Sequence, residues 1–205
     1  MTHKQTDPRI ERTDKALQDA LIELTAERGF DTITVGDIAK RAKVNRATFY
    51  RHYQDKFDLV ERIFQEAIEI LRNDLGPPGE EALSTDPQDP PARWVKLFGH
   101  FVEHERLYRP LLGRHGSSWF VARMRDQFIN LVEEREQLRD RIPILQQTPR
   151  QTKIPMKVAF FLMSTLMVST IAWWLESGRE YSPKQIASWF LEIAVNGYVD
   201  ALGLK

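Results

Sequence analysis

Between Thr34 and Lys56 the chain holds two short helix starts separated by one tight turn, and this spacing constrains its fold more than any other feature. Thr34 suits the N-cap of the first helix, and Asp37 suits its first turn by opposing the helix dipole. Ile38, Ala39 and Ala42 give that helix a small apolar face, Val44 fills the turn, and Asn45 suits the N-cap of the second helix. Phe49 and Tyr53 lie four residues apart, so they share the face that packs inward. Arg46, Ala47, Tyr50 and Arg51 fall on the opposite face, with Thr48 and His52 on its flank. Arg, a small residue and Tyr on one face suit base edges, and hydroxyl, imidazole and ammonium groups at its border suit phosphates. Two helices meeting this way place the second in the major groove of DNA.

Charge is distributed to match. From Lys40 to Lys56 there are six Lys or Arg, Lys43 at the turn among them, against the single acid Asp55. The whole chain is neutral, with 29 basic and 29 acidic residues, so positive charge is concentrated where the motif lies, as a phosphate-binding surface requires.

The pattern Thr34-Val35, Asp37-Ile38-Ala39, Ala42, Val44, Thr48-Phe49-Tyr50, His52-Tyr53 and Lys56 before an apolar helix resembles the N-terminal part of TetR-type (TetR/AcrR) transcriptional regulators. The likeness covers residues 14–75. It implies that Arg46, Ala47 and Tyr50 reach bases and that Thr48, His52 and Lys56 hold phosphates; Thr34, Lys43 and Arg51 complete the candidate DNA-binding set. Two positions depart from the pattern. Lys43 stands where the family usually has the turn glycine, and Asn45 stands where it often has serine.

Helical periodicity runs through the chain and strand signals are scarce, so the expected fold is all-α, with about nine helices. Residues 1–13 read as a flexible arm, 14–56 as a three-helix DNA-binding head, 57–75 as a connector helix, 76–91 as a loop rich in proline, and 92–205 as a ligand-binding and dimerisation domain. Helices are expected at 14–28, 34–42, 45–53, 56–75, 92–105, 106–112, 118–141, 155–177 and 183–202. Ser182, Pro183 and Gln185 form a capping box with proline at the first helical position of the last. The chain has no cysteine, which excludes disulfides and Cys-ligated metal, and residues 1–13 have no apolar core of a signal peptide, so a cytoplasmic protein is expected. The apolar run 158–175 carries four hydroxyl residues and lacks a flanking basic cluster, which favours a buried helix over a membrane span.

All five Trp lie beyond the head. Trp94, Phe98, Phe101, His104, Tyr108, Trp119, Met124, Phe128, Phe161 and Trp173 are the candidate lining of an apolar effector pocket. Ser164, Ser169, Ala172, Ile186, Phe190, Ile193 and Tyr198 are the candidates for a two-fold four-helix interface built from the last two helices. The resemblance implies the same arrangement, a homodimeric repressor released from a pseudo-palindromic double-stranded operator by a small molecule, and the apolar lining points to an apolar or aromatic effector; no cofactor and no catalytic residues are expected.

Two other readings compete. His100-Phe-Val-Glu103-His104 matches H-x-x-E-H, a metal-binding pattern of certain proteases, and on a helix both histidines would share a face. It predicts a metal-dependent hydrolase, for which the sequence marks no third ligand. An architectural DNA-binding dimer with no effector is the other, and it predicts weak sequence preference.

Overall fold

The computed structural model describes residues 8–76, 89–139 and 154–195, with side chains for all but 132–139 and 194–195. Every regular element among them is helical. The head comprises α1 (Pro8–Arg28), a 3-10 turn (Phe30–Thr32), α2 (Val35–Arg41) and α3 (Arg46–His52), and α4 (Lys56–Leu75) leads away from it. The body comprises α5 (Ala92–Glu103), α6 (Glu105–Leu112), α7 (Ser118–Arg139), α8 (Met156–Glu176) and α9 (Pro183–Phe190), continued by a π turn over Leu191–Val195.

The helix starts follow from local chemistry. The Thr34 hydroxyl accepts from the Asp37 amide at 3.2 Å while the Asp37 carboxylate accepts from the Thr34 amide at 3.0 Å, a reciprocal capping box. The Asn45 side chain accepts from Thr48 N at 2.6 Å, and Asp55 accepts from Phe57 N and Asp58 N, each at 2.8 Å. Ser182 and Gln185 close the second capping box, with Pro183 at the first turn of α9.

Three boundaries differ from expectation. α1 starts at Pro8, so residues 8–13, expected in the arm, are helical; proline at a helix start forfeits no hydrogen bond and its φ is already helical. The final helix leaves α geometry after Phe190, where a regular helix was expected to 202. The α5–α6 break falls at His104, one to two residues earlier than expected.

A single apolar cluster runs from Leu17 in α1 through Phe64 and Leu71 in α4 to Trp174 in α8 and Leu191, so head and body share one core. α4 packs on α1 at the head and on α5 in the body, which makes it a mechanical connection between them. α1 also meets α6, where Arg106 reaches Asp19 at 3.2 Å and Glu23 at 3.1 Å. α8 has the length and hydropathy of a membrane span, yet Ala159, Met167, Val168, Ile171, Trp174 and Leu175 are packed inside the protein.

Candidate nucleic-acid interface

The outer face of α3 is built as the sequence indicates. Phe49 is fully buried and Tyr53 nearly so, which leaves Arg46, Ala47, Tyr50 and Arg51 exposed on a helix held at its start by Asn45. Tyr50 is 51% exposed although aromatic, and Phe49 meets it edge-on at 5.7 Å, so the phenol stands out from the surface. The Arg46 guanidinium lies 5.7 Å from the Tyr50 ring centre, and its Nη2 reaches the Tyr50 hydroxyl at 3.3 Å. A planar donor fork beside a projecting phenol can read major-groove edges.

The turn before α3 is a Schellman motif. Val44 N donates to Ala39 O at 3.0 Å and Lys43 N to Lys40 O at 3.2 Å, with Lys43 in the left-handed region at φ 57°. Lysine therefore occupies a conformation that favours glycine, and its ammonium is exposed at the mouth of the turn.

Four of the candidate DNA-binding residues are already engaged within the protein. Thr34 Oγ1 serves the capping box and also donates to Asp37 at 2.7 Å. Thr48 Oγ1 donates to Asn45 at 2.9 Å and accepts from Arg51 Nη2 at 3.0 Å. His52 Nδ1 lies 2.7 Å from Asp14 Oδ1, which fastens the end of α3 to α1. Lys56 Nζ donates to the carbonyls of Phe30, Ile33 and Asp31 at 2.9, 3.0 and 3.1 Å, and sits 4.6 Å from the Phe30 ring centre. Burial pushes its pKa down from the ordinary lysine value. The Lys56 ammonium thus sits in a carbonyl cage that joins α4 to the turn before α2.

Sequence reasoning missed the groups that orient this surface. Arg41 grips Glu27 through both guanidinium ends at 2.7 and 2.8 Å and also reaches Glu23 at 3.3 Å. Arg28 pairs with Asp37 at 3.0 Å. The hydrogen bonds from Thr34, then that of Arg28, hold the Asp37 carboxyl down at about 2. Such pairs join residues on different helices, and no local spacing announces them.

The candidate effector residues divide. Phe101, Met124 and Phe128 join Phe64, Ile68, Leu71, Leu131 and Gln127 around a crevice between α4, α5 and α7 whose free volume is about 10 Å³, too small for an effector in this conformation. Phe98 and Tyr108 are buried in the core, and Trp94 packs on Phe190 at 5.5 Å. Trp119 lies elsewhere, edge-on to Phe57 at 5.4 Å where the body meets the head. Phe161 and Trp173 are on the exposed side of α8, away from the residues that line this crevice.

The interface candidates divide as well. Ser164, Ile186 and Phe190 are buried within the chain, Phe190 against Phe98 and Trp94, because α9 lies on α5. Ala172 is half-buried; Ser169 and Ile193 are exposed, and Tyr198 lies outside the described residues. His100 Nε2 is bound to Tyr108 Oη at 2.9 Å, and no cluster of three metal-ligating side chains exists among the described residues.

Residues 17–63 match the family model of bacterial regulatory proteins, tetR family, the stretch that carries both caps, the Schellman turn and the exposed face of α3. Over that stretch the chain is similar to TetR-family regulators. It is 40% identical over 65 residues to the HTH-type transcriptional regulator YxbF of Bacillus subtilis (strain 168), covering 31% of this chain and 17% of that one. It is 28% identical over 100 residues to the HTH-type transcriptional regulator AcrR of Shigella flexneri, covering 49% of this chain and 45% of that one. The matched part is therefore less than half the length of these curated relatives. A TetR transcriptional regulator from Streptococcus agalactiae 2603V shares the fold at a TM-score of 0.63 and 22% identity, over 91% of this chain and 95% of that one. The fatty acid degradation regulator FadR from Bacillus halodurans does so at a TM-score of 0.61 and 15% identity, over 89% and 98%. The body is shared with them as architecture.

Proposed function

We propose that this protein is a homodimeric, sequence-specific DNA-binding repressor that a small apolar molecule releases from a pseudo-palindromic operator. The observation that carries it is the outer face of α3, where Arg46, Ala47, Tyr50 and Arg51 stand exposed on a helix whose other side is sealed by Phe49. Exposed Lys40 and Lys43 lie at the preceding turn and supply phosphate contacts.

Dimerisation is supported by an apolar face that stays largely exposed among the described residues. Val158, Phe161, Leu162, Leu166 and Trp173 recur at helical spacing on the outside of α8, with Leu162 56% and Trp173 53% exposed. Trp189 and Ile193 extend the face across the end of the chain. A second copy buries it and brings two α3 helices to half-sites about one helical turn, roughly 34 Å, or a multiple apart.

Release works through α4. Phe64, Ile68 and Leu71 form the α4 wall of the closed crevice, so a molecule entering it displaces α4. At the head end of the same helix, Lys56 and Phe57 hold Phe30 and the turn leading into α2. An effector that binds only the opened crevice shifts the population away from the form that fits two half-sites.

Selection of bound DNA from a random duplex pool at about 150 mM salt tests the reading, because salt sets the nonspecific background. The expected result is a pseudo-palindromic consensus. Enrichment without a consensus means an architectural protein, and no enrichment ends the regulator reading.

A further inference from the structure

His100, on α5, is 3% exposed, and its Nδ1 is one of two buried side-chain nitrogens among the described residues with no hydrogen-bond partner. Its Nε2 meets the Tyr108 hydroxyl at 2.9 Å. If Nε2–H donated to the phenol, both the phenolic hydrogen and the Nδ1 lone pair would be left unmatched. If the phenol donates to Nε2, Nδ1–H and a phenol lone pair are left instead, and this arrangement wins because a phenol is a stronger donor than an imidazole N–H and an imidazole nitrogen a stronger acceptor than a phenol oxygen. His100 therefore presents a fixed donor with no acceptor.

Burial, and then the neighbouring His104, push the His100 pKa down to about 4, so the ring is neutral near pH 7. The surroundings match a neutral, apolar guest. Phe101 meets His100 edge-on at 5.5 Å and Tyr108 at 4.7 Å, and the same Phe101 forms a wall of the crevice. Tyr108 also faces Phe120, which packs on Phe64 of the opposite wall at 5.1 Å. The unmatched donor is thus one aromatic ring away from the space whose opening moves α4. Gln127, the polar residue of the crevice, is occupied: with its amide oxygen towards Arg123 it accepts from Nη2 at 3.1 Å and from Gln65 Nε2 at 3.3 Å.

We propose that His100 Nδ1–H is the polar anchor of the effector site, and that the effector is a neutral, largely apolar molecule carrying a carbonyl-type oxygen. This rests on the regulator reading above and narrows its ligand class. The Arg123 guanidinium, which reaches Gln127 of the crevice, is already paired with Glu61, so it offers an entering carboxylate no free charge.

The test uses the full chain labelled with 15N at histidine and three probes of similar size: 4-phenyl-2-butanone, pentylbenzene and 3-phenylpropanoate. The expected result is that the ketone moves the His100 Nδ1 resonance and binds about tenfold tighter than the hydrocarbon, as one buried hydrogen bond allows. No movement at saturating ketone, equal binding of the hydrocarbon, or preference for the carboxylate overturns the proposal. His100→Phe should abolish the preference for ketone while keeping operator binding; retention of the preference overturns it. The wild-type resonance decides the matter even if that variant does not fold. Operator binding without any probe is read separately. A chain that binds the ketone through His100 but selects no DNA contradicts the regulator reading, and a chain that selects DNA but ignores the ketone contradicts only the anchor.

Discussion

Arg123 on α7 holds Glu61 on α4 in a forked pair, with Nη2 2.6 Å from Oε1 and Nε 2.9 Å from Oε2. Burial alone would raise the Glu61 pKa, and the bonds from Arg123 and Gln65 more than reverse it. The pair joins α4 to the far wall of the crevice, so under the proposed mechanism it resists the opening that would release DNA. Both side chains keep over a quarter of their exposure, which limits the contribution to about 1 kcal/mol. Glu61→Gln should lower stability by about that amount or less and weaken operator binding by less than tenfold, because the opened form becomes easier to reach. Denaturant unfolding and DNA-binding anisotropy measure the two effects, and an unchanged operator affinity would remove this pair from the mechanism.

Lys56 and Arg51 should separate cleanly. Lys56→Met leaves three carbonyls without their donor and should destabilise the protein by about 1–3 kcal/mol, with little change in the salt dependence of whatever DNA binding remains. Arg51→Ala should preserve stability and reduce the slope of binding against salt by about one ion. A reduced slope for Lys56→Met, at unchanged stability, would show that its ammonium leaves the cage for a phosphate.

Tyr50→Ala should relax discrimination at one or two base pairs by about 1–3 kcal/mol if the projecting phenol touches a base. Its exposure makes it dispensable for folding. Equal loss on every sequence in the selected pool would place it at the backbone instead.

Lys43→Gly should stabilise the head by up to about 1 kcal/mol, the left-handed penalty of a lysine set against the extra chain entropy of glycine. The change also removes a charge from the DNA-facing turn, so stability should rise while DNA affinity falls. A loss of stability would mean that the turn does not hold φ near 57° in solution.

The carboxyl of Asp37 should titrate at about 2, below its ordinary value of 3.8. A depressed carboxylate contributes stability above its unfolded pKa and loses that contribution as the pH falls through the folded value. The cap of α2 should therefore persist at pH 5 and weaken between roughly pH 4 and 2, read by Asp37 carbon-13 shifts. In Thr34→Ala the titration should move upward.

The head was legible because its determinants are local. Thr34, Asn45 and Asp55 each act within three residues of their own position, and Phe49 with Tyr53 needed only helical periodicity. The boundary of α1 was not legible, since Pro8 opens a helix or a turn equally well until packing decides. The intramolecular partners of Lys56 and His52 were not legible for the same reason: Phe30 and Asp14 lie 26 and 38 residues away. In the body, composition pointed to an apolar interior but could not assign aromatics to faces. Trp173 and Trp174 are neighbours in sequence, yet one is 53% exposed and the other fully buried. Only the packing of α8 on α6 and α7 distinguishes them.

The continuous core has a consequence for how such proteins can be recombined. Phe57 leans on Trp119, Gly29 lies so close to the His115 carbonyl that an added Cβ would sit 2.8 Å from it, and Glu23 is held by Arg41 on one side and Arg106 on the other. A graft that moved residues 8–76 onto another regulator's body would leave Phe57, Gly29 and Glu23 facing strangers. The transplantable unit is the head together with the α6–α7 corner that receives it, so new sensor–operator combinations have to be cut inside the body and not at the loop that follows α4.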